Sequence, residues 1–344
     1  MTLSRGAIGN LVNRYRAVLR KCRMMNVFGS LAVAGMLVAG NAGFAGAEEL
    51  SGDISPISLS GDTRNIIGVG DISLRSTEPA LRYLINVSGQ GHLDISMSNG
   101  SPMAVGNADG IYLKDYSEYD QYASAFHVAG SGSSGSFVGT GTFSMVGGGK
   151  LLGVCAFLSE SKGTLTLSGD ITGEAEAVMN GSNGYASFAA AAAGGNLVFG
   201  GDRTTLRAKA STGNNANGAF VKYGGMIDFA SKSVLIESKN TDSSSVGINC
   251  ADGTVKTSAD TDLDIVVEGN KATTGIQLTA SSSDVQLAGN LDLTATQTGQ
   301  DSFASVLGIS NDSGKMVVSG PTSLRLATNA PFDAKGITAS GKAD

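Results

Sequence analysis

The stretch Ile227-Asp-Phe-Ala-Ser-Lys-Ser-Val-Leu-Ile236 holds two short alternating runs, Ile227/Phe229 and Val234/Ile236, separated by the small-residue turn Ala230-Ser-Lys232. Apolar residues at every second position are the signature of a strand with one buried face. The unit recurs. Turns of the same kind stand at Ser168-Gly-Asp170, Gly200-Gly-Asp202, Ser258-Ala-Asp260, Ala288-Gly-Asn290 and Ser319-Gly-Pro321. Counted from the last residue of each turn, the steps are 32, 30, 28, 30 and 31 residues. Alternating pairs precede the turns (Leu165/Leu167, Leu197/Phe199, Val285/Leu287) and follow them (Leu263/Ile265/Val267, Leu291/Leu293, Leu324/Leu326).

A second landmark keeps the same period. A small residue followed by an apolar one occurs at Ala125-Phe126, Ala156-Phe157, Ser187-Phe188, Ala219-Phe220, Gly247-Ile248, Gly275-Ile276, Gly308-Ile309 and Gly336-Ile337. It marks a third strand in each repeat. Three short strands cannot bury their inner side chains alone, but stacked turns of a coil close an apolar tube. The unit lacks the spacing of leucine-rich repeats and is shorter than a four-stranded propeller blade. The expectation is an all-β chain folded as a right-handed parallel β-helix (solenoid) of about ten coils.

Composition agrees with many short strands joined by tight turns. There are 49 glycines in 344 residues, 5 prolines and no tryptophan, and the sustained alternation argues against both collagen and disorder. Before residue 125 the repeat is less regular. Gly70–Leu74 and Gly91–Met97 read as strands of earlier coils, and 98–124 as an excursion from the coil. The domain reading is therefore 1–47 as a leader, 48–124 as irregular N-terminal coils and 125–344 as regular repeats.

The leader is read from charge and hydropathy. The first 47 residues carry six basic side chains (Arg5, Arg14, Arg16, Arg20, Lys21, Arg23) and no acid. An apolar segment at 27–38 and Phe44-Ala-Gly-Ala47 follow. A basic n-region, a short h-region and an A-x-A site make a Sec signal peptide, with cleavage expected after Ala47. Leu11, Tyr15, Val18 and Leu19 among the basic residues read as a short amphipathic helix. The stretch from Asn10 to Gly40 resembles the extended signal peptides of bacterial autotransporters. That resemblance implies the Sec translocon as partner, passage through the periplasm to the cell surface, and a β-helical passenger. Autotransporters also carry a C-terminal outer-membrane barrel, whereas here Gly336–Asp344 still reads as repeat, so the expectation is a truncated passenger or gene fragment, with a separately encoded barrel as the lesser account.

Candidate sites are few. Tyr112, Tyr116, Tyr119 and Tyr122 place four of the 8 tyrosines in the excursion. They are the candidate binding residues, since solenoid insertions carry recognition on one face. The plainer and weightier reading is a short helix covering the coil. Cys155 and Cys250 are three coils apart, roughly 14 Å, too far for a disulfide, and read as buried thiols. His92 and Asp94 share a strand face without a third partner, and His127 gives little. Asp260, Asp262 and Asp264 admit calcium, with a solvated strand face the stronger reading. Gly130-Ser-Gly-Ser-Ser-Gly135 lacks a βαβ setting, and no nucleophile elbow occurs. No catalytic residue, metal site or cofactor is expected.

Beyond residue 47 there are 18 basic and 30 acidic residues, a balance that repels nucleic acid. Two functions stay open. One is a surface-displayed, adhesin-like rod binding a host or cell-surface ligand. The other is a secreted β-helical polysaccharide lyase or hydrolase, which would stack basic residues beside carboxylates on consecutive coils. The sparse basic residues favour the rod.

Overall fold

The computed structural model describes residues 47–78, 81–98, 100–107, 122–147, 153–178, 186–211, 215–300, 305–329 and 334–340. The chain divides into two compact units, Met1–Ala47 and Glu48–Asp344, and the described strands lie in the second. Among the described residues there is no helix. Strands run from Glu48–Asp53 to Ala334–Ala339 and stack in parallel as a β-solenoid. They form one sheet of 15 strands and one of 10. The ten-stranded sheet takes one strand from each coil, close to the expected number.

In-register stacking explains the period. Leu165 pairs with Leu197, Leu197 with Ile227, Ile227 with Val255 and Val255 with Val285. Leu206, Ile236, Ile265, Leu293 and Leu324 make a second column of the same sheet. Each of these columns points into the coil, where an added residue would turn the apolar set outward. Phe126, Phe137, Phe143, Phe157, Phe199 and Phe229 are fully buried. Their rings run along the axis, with Phe143–Phe157 at 5.1 Å, Phe157–Phe199 at 5.6 Å and Phe199–Phe229 at 5.4 Å. Each such ring removed from water contributes on the order of 1.5–3 kcal/mol.

Three expectations are refined. The first concerns the turns, which are bends within continuous strands in the earlier coils. Ser134–Gly147, Thr164–Ala177 and Asn196–Ala210 run through Gly139, Gly169 and Gly201, all with positive φ. A Cβ on Gly169 would meet the Gly139 carbonyl oxygen at 2.1 Å, so the corner requires glycine both for space and for conformation. From Ala230-Ser231-Lys232 onward the bend is wide enough to break the strand in two.

The second concerns the small-plus-apolar landmark. Ala125 and Phe126 are both core residues, as are Ala156 and Phe157. Two successive side chains turn inward here, and the alternation changes phase. The inward column reads Phe126, Phe157, Ala190, Ala219, Ile248, Ile276 and Ile309, and ends at Ile337, which is exposed on the last described strand. In two coils the pair is therefore Ala189-Ala190 and Gly218-Ala219. Phe188 and Phe220 stand on the opposite face, because Phe199 and Phe229 already fill the interior at that level.

The third concerns the excursion. Pro102–Asn107 is a strand of the coil, paired with Thr63–Ser76 and Ser134–Gly147, and Tyr122 opens the strand Tyr122–Ala129.

Candidate functional site

Of the expected binding residues, Tyr112, Tyr116 and Tyr119 lie outside the described residues. Tyr122 is described. Its side chain is nearly buried on the outer face of the ten-stranded sheet, in a second apolar cluster with Cys155, Leu158, Phe188 and Ala191. The Tyr122 ring meets the Phe188 ring edge-on at 5.9 Å. Its hydroxyl accepts a hydrogen bond from Lys222 Nζ at 2.6 Å, and the ammonium sits 5.0 Å from the ring centroid. Burial pushes the Tyr122 phenol far up, and the neighbouring Cys155 and Glu160 add to the effect.

Beside this cluster Tyr83 stacks on His127, 3.9 Å between centroids. His127 Nδ1 is 2.8 Å from Asn86 Oδ1 and Nε2 is 3.0 Å from Glu160 Oε2. The Arg82 guanidinium donates to the Tyr83 hydroxyl at 2.8 Å and to the Tyr122 carbonyl oxygen. Burial raises the Tyr83 phenol to about 12, with Arg82 opposing the shift. A histidine paired with a carboxylate is a component of acid–base chemistry. The thiol nearby is no partner for it, because burial holds Cys155 well above its ordinary range and a thiol in that state is a poor nucleophile. Cys155 and Cys250 are both buried and free. Cys155 faces outward in the cluster, whereas Cys250 lies in the core.

Along the axis from this cluster the same outer face opens into a groove of about 380 Å³. Register builds it. Phe188, Asn217, Val246 and Thr274 stand above one another in one column, and Phe220, Asn249 and Gln277 in the next. The Phe188 and Phe220 rings stack at 4.8 Å. Asn249 Nδ2 donates to Asn217 Oδ1 at 3.1 Å, while Asn249 Oδ1 is buried and without a hydrogen-bond partner. None of the described residues lining the groove carries a charge. Its volume lies in the range of small-ligand sites. The sequence reading missed these residues. The available signal was Phe220 directly after Ala219, an aromatic placed one residue past the inward position.

The fifteen-stranded sheet presents a different outer face. Glu176, Lys209, Lys239 and Glu268 stack on consecutive coils. In the adjacent column Arg207 is sandwiched between Glu174 and Glu237 and bonded to both. Two basic residues thus do stack, but four glutamates surround three basic groups. A hollow of about 140 Å³ lies among Glu174, Glu176, Arg207 and Lys209.

The remaining candidates have ordinary partners. His92 Nδ1 is 2.8 Å from Ser134 Oγ, and Ser136 donates to Asp94 Oδ1 at 2.5 Å. Asn290 donates to Asp262 at 2.6 Å. The Asp264 carboxyl is raised, first by burial and then by Asp292 and Asp262, with Arg325 opposing. Among the described residues no group of three His, Cys, Asp or Glu side chains is placed to hold a metal ion. No protein-family model, curated protein or solved structure matches this chain.

Proposed function

We propose that the chain is an exported, surface-displayed rod of the autotransporter-passenger kind, and that it binds its ligand through the outer face of the ten-stranded sheet. The observation that carries the binding reading is the uncharged groove. Phe188 packs into the outer apolar cluster, while Phe220 stays partly exposed outside the coil beside a column of amides. An apolar and amide-rich concavity on a rigid sheet is what recognition requires. Export rests on the basic, apolar and A-x-A segments of residues 1–47. An outer-membrane barrel, not encoded in these residues, is the partner that passage to the surface would need.

The test is on whole cells of the producing bacterium. Protease added outside should remove the chain while cytoplasmic proteins survive, and the exported form should begin at Glu48. A chain that keeps Met1 and is protected from protease overturns the proposal.

A secreted lyase or hydrolase of acidic polysaccharide is the second reading, motivated by Lys209 stacked on Lys239. It is the weaker one. Glu176, Glu268, Glu174 and Glu237 neutralise that patch, and a polyanion approaching it meets as much repulsion as attraction.

A further inference from the structure

We infer that the groove takes a neutral oligosaccharide laid along the solenoid axis, an assignment that rests on the binding-rod reading above. Three properties of the site lead there. The first is charge. The chain beyond residue 47 is acidic, with 30 acidic against 18 basic residues, yet the described lining of the groove is neutral throughout. An ionic ligand would leave water for a lining without counter-charge, which is costly; Lys222 Nζ, 5.7 Å from the Phe220 centroid, is bonded to the Tyr122 hydroxyl.

The second is the kind of polarity. Asn217, Asn249 and Gln277 each offer both a donor and an acceptor, and Thr274 continues the column that begins at Phe188. A purely apolar ligand would strand these groups. A hydroxyl-bearing ligand matches them, since each hydroxyl also both gives and accepts. Among the described residues Asn249 Oδ1 has no hydrogen-bond partner. A donor hydroxyl reaching that oxygen makes the missing bond and leaves Asn249 Nδ2 on Asn217 Oδ1. The partly exposed Phe220 ring, backed by the buried Phe188, supplies an apolar surface at one end, suited to the C–H face of a sugar ring.

The third is repetition. The lining comes from four successive coils, through the strands Ala186–Ala193, Asn215–Lys222, Ser245–Cys250 and Thr273–Leu278. Coils repeat at about 4.8 Å, giving a run of roughly 14 Å, and that step is close to the advance of one sugar along an extended chain. A peptide adding as a strand is disfavoured, because the floor is a sheet face whose main-chain groups are already paired in the ladder.

The experiment presents the full chain with an array of unbranched neutral hexose and N-acetylhexosamine oligomers, their uronate or sialylated counterparts, and a set of extended peptides. Hits are then titrated by calorimetry. The expected result is binding to a neutral oligomer, rising with length up to about four units and little changed by salt. Phe220→Ala and Asn249→Ala should each weaken it about tenfold or more, with the far-UV circular dichroism spectrum preserved. Gln277→Ala, a partly exposed site outside the core, provides the same readout without disturbing packing, and Lys239→Ala on the other sheet should change nothing. Binding only to acidic glycans or to peptides, no binding to any neutral oligomer, or titrations that Gln277→Ala and Phe220→Ala both leave unmoved would overturn the inference. The two readings fail separately. A surface-exposed chain that ignores neutral glycans loses this inference alone, and a neutral-glycan binder retained inside the cell loses only the display reading.

Discussion

At the scale of single residues, position relative to the coil wall decides chemistry. Phe199 and Phe188 are the same side chain, yet one lies inside, edge-on to Phe157 at 5.6 Å, and the other lies outside, stacked on Phe220 at 4.8 Å. Tyr83 shows what that outer cluster does to an ionisable group. Its phenol is raised to about 12 from an ordinary 10, chiefly by burial. A folded-state pKa above the unfolded one means the folded protein holds the proton more tightly. The associated stability is intact below about pH 10 and is lost as pH rises through about 12. Urea unfolding midpoints measured across that window should fall, and Tyr83→Phe should fall less steeply. Tyr122 shifts in the same direction, so the phenolate absorbance of the folded chain should lag that of the unfolded chain. The identity of the buried thiols was legible from spacing, whereas the outward face of Cys155 was not. Spacing counts coils and carries no information about which wall a side chain faces after a bend.

At the scale of the element, the corners and the outer ladders look equally regular but contribute very differently. Gly169 holds a φ of +119°, and a Cβ there would strike the Gly139 carbonyl. Gly169→Ala should cost at least about 2 kcal/mol, since both backbone conformation and space oppose it. Arg207→Ala removes a guanidinium bonded to two glutamates, yet the three side chains are each more than a third exposed. Solvent screening should keep its cost under about 1 kcal/mol. Denaturant titration of the two variants side by side checks the contrast, and a larger loss for Arg207→Ala would mean the ladder is structural. The strands themselves were legible, because Leu165/Leu167 and Leu263/Ile265/Val267 alternate without interruption. The groove was illegible for the opposite reason. At Ala189-Ala190 and Gly218-Ala219 two successive residues face inward, so a strict period of two places Phe188 and Phe220 on the wrong side.

At the scale of the whole solenoid, each coil contacts chiefly its neighbours, so stability is close to a sum of coil and interface terms. Phe199 bridges the rings of Phe157 and Phe229. Phe199→Ala should remove about 3–5 kcal/mol from the middle of the stack and broaden thermal unfolding, followed by circular dichroism, as the halves lose their coupling. An unfolding transition as sharp as that of the unchanged protein would show that the coils melt as one unit regardless of this ring. The sequence by itself determined the architecture. A period of 28 to 33 residues with sustained alternation sets each strand beside its counterpart one repeat away, which is what a parallel in-register stack requires. Only the tertiary structure decided where the surface can bind. Which aromatics fit inside depends on volume already taken by side chains from the opposite sheet. With Phe199 and Phe229 filling the interior, Ala190 and Ala219 occupy the inward column and Phe188 and Phe220 are left to build the groove.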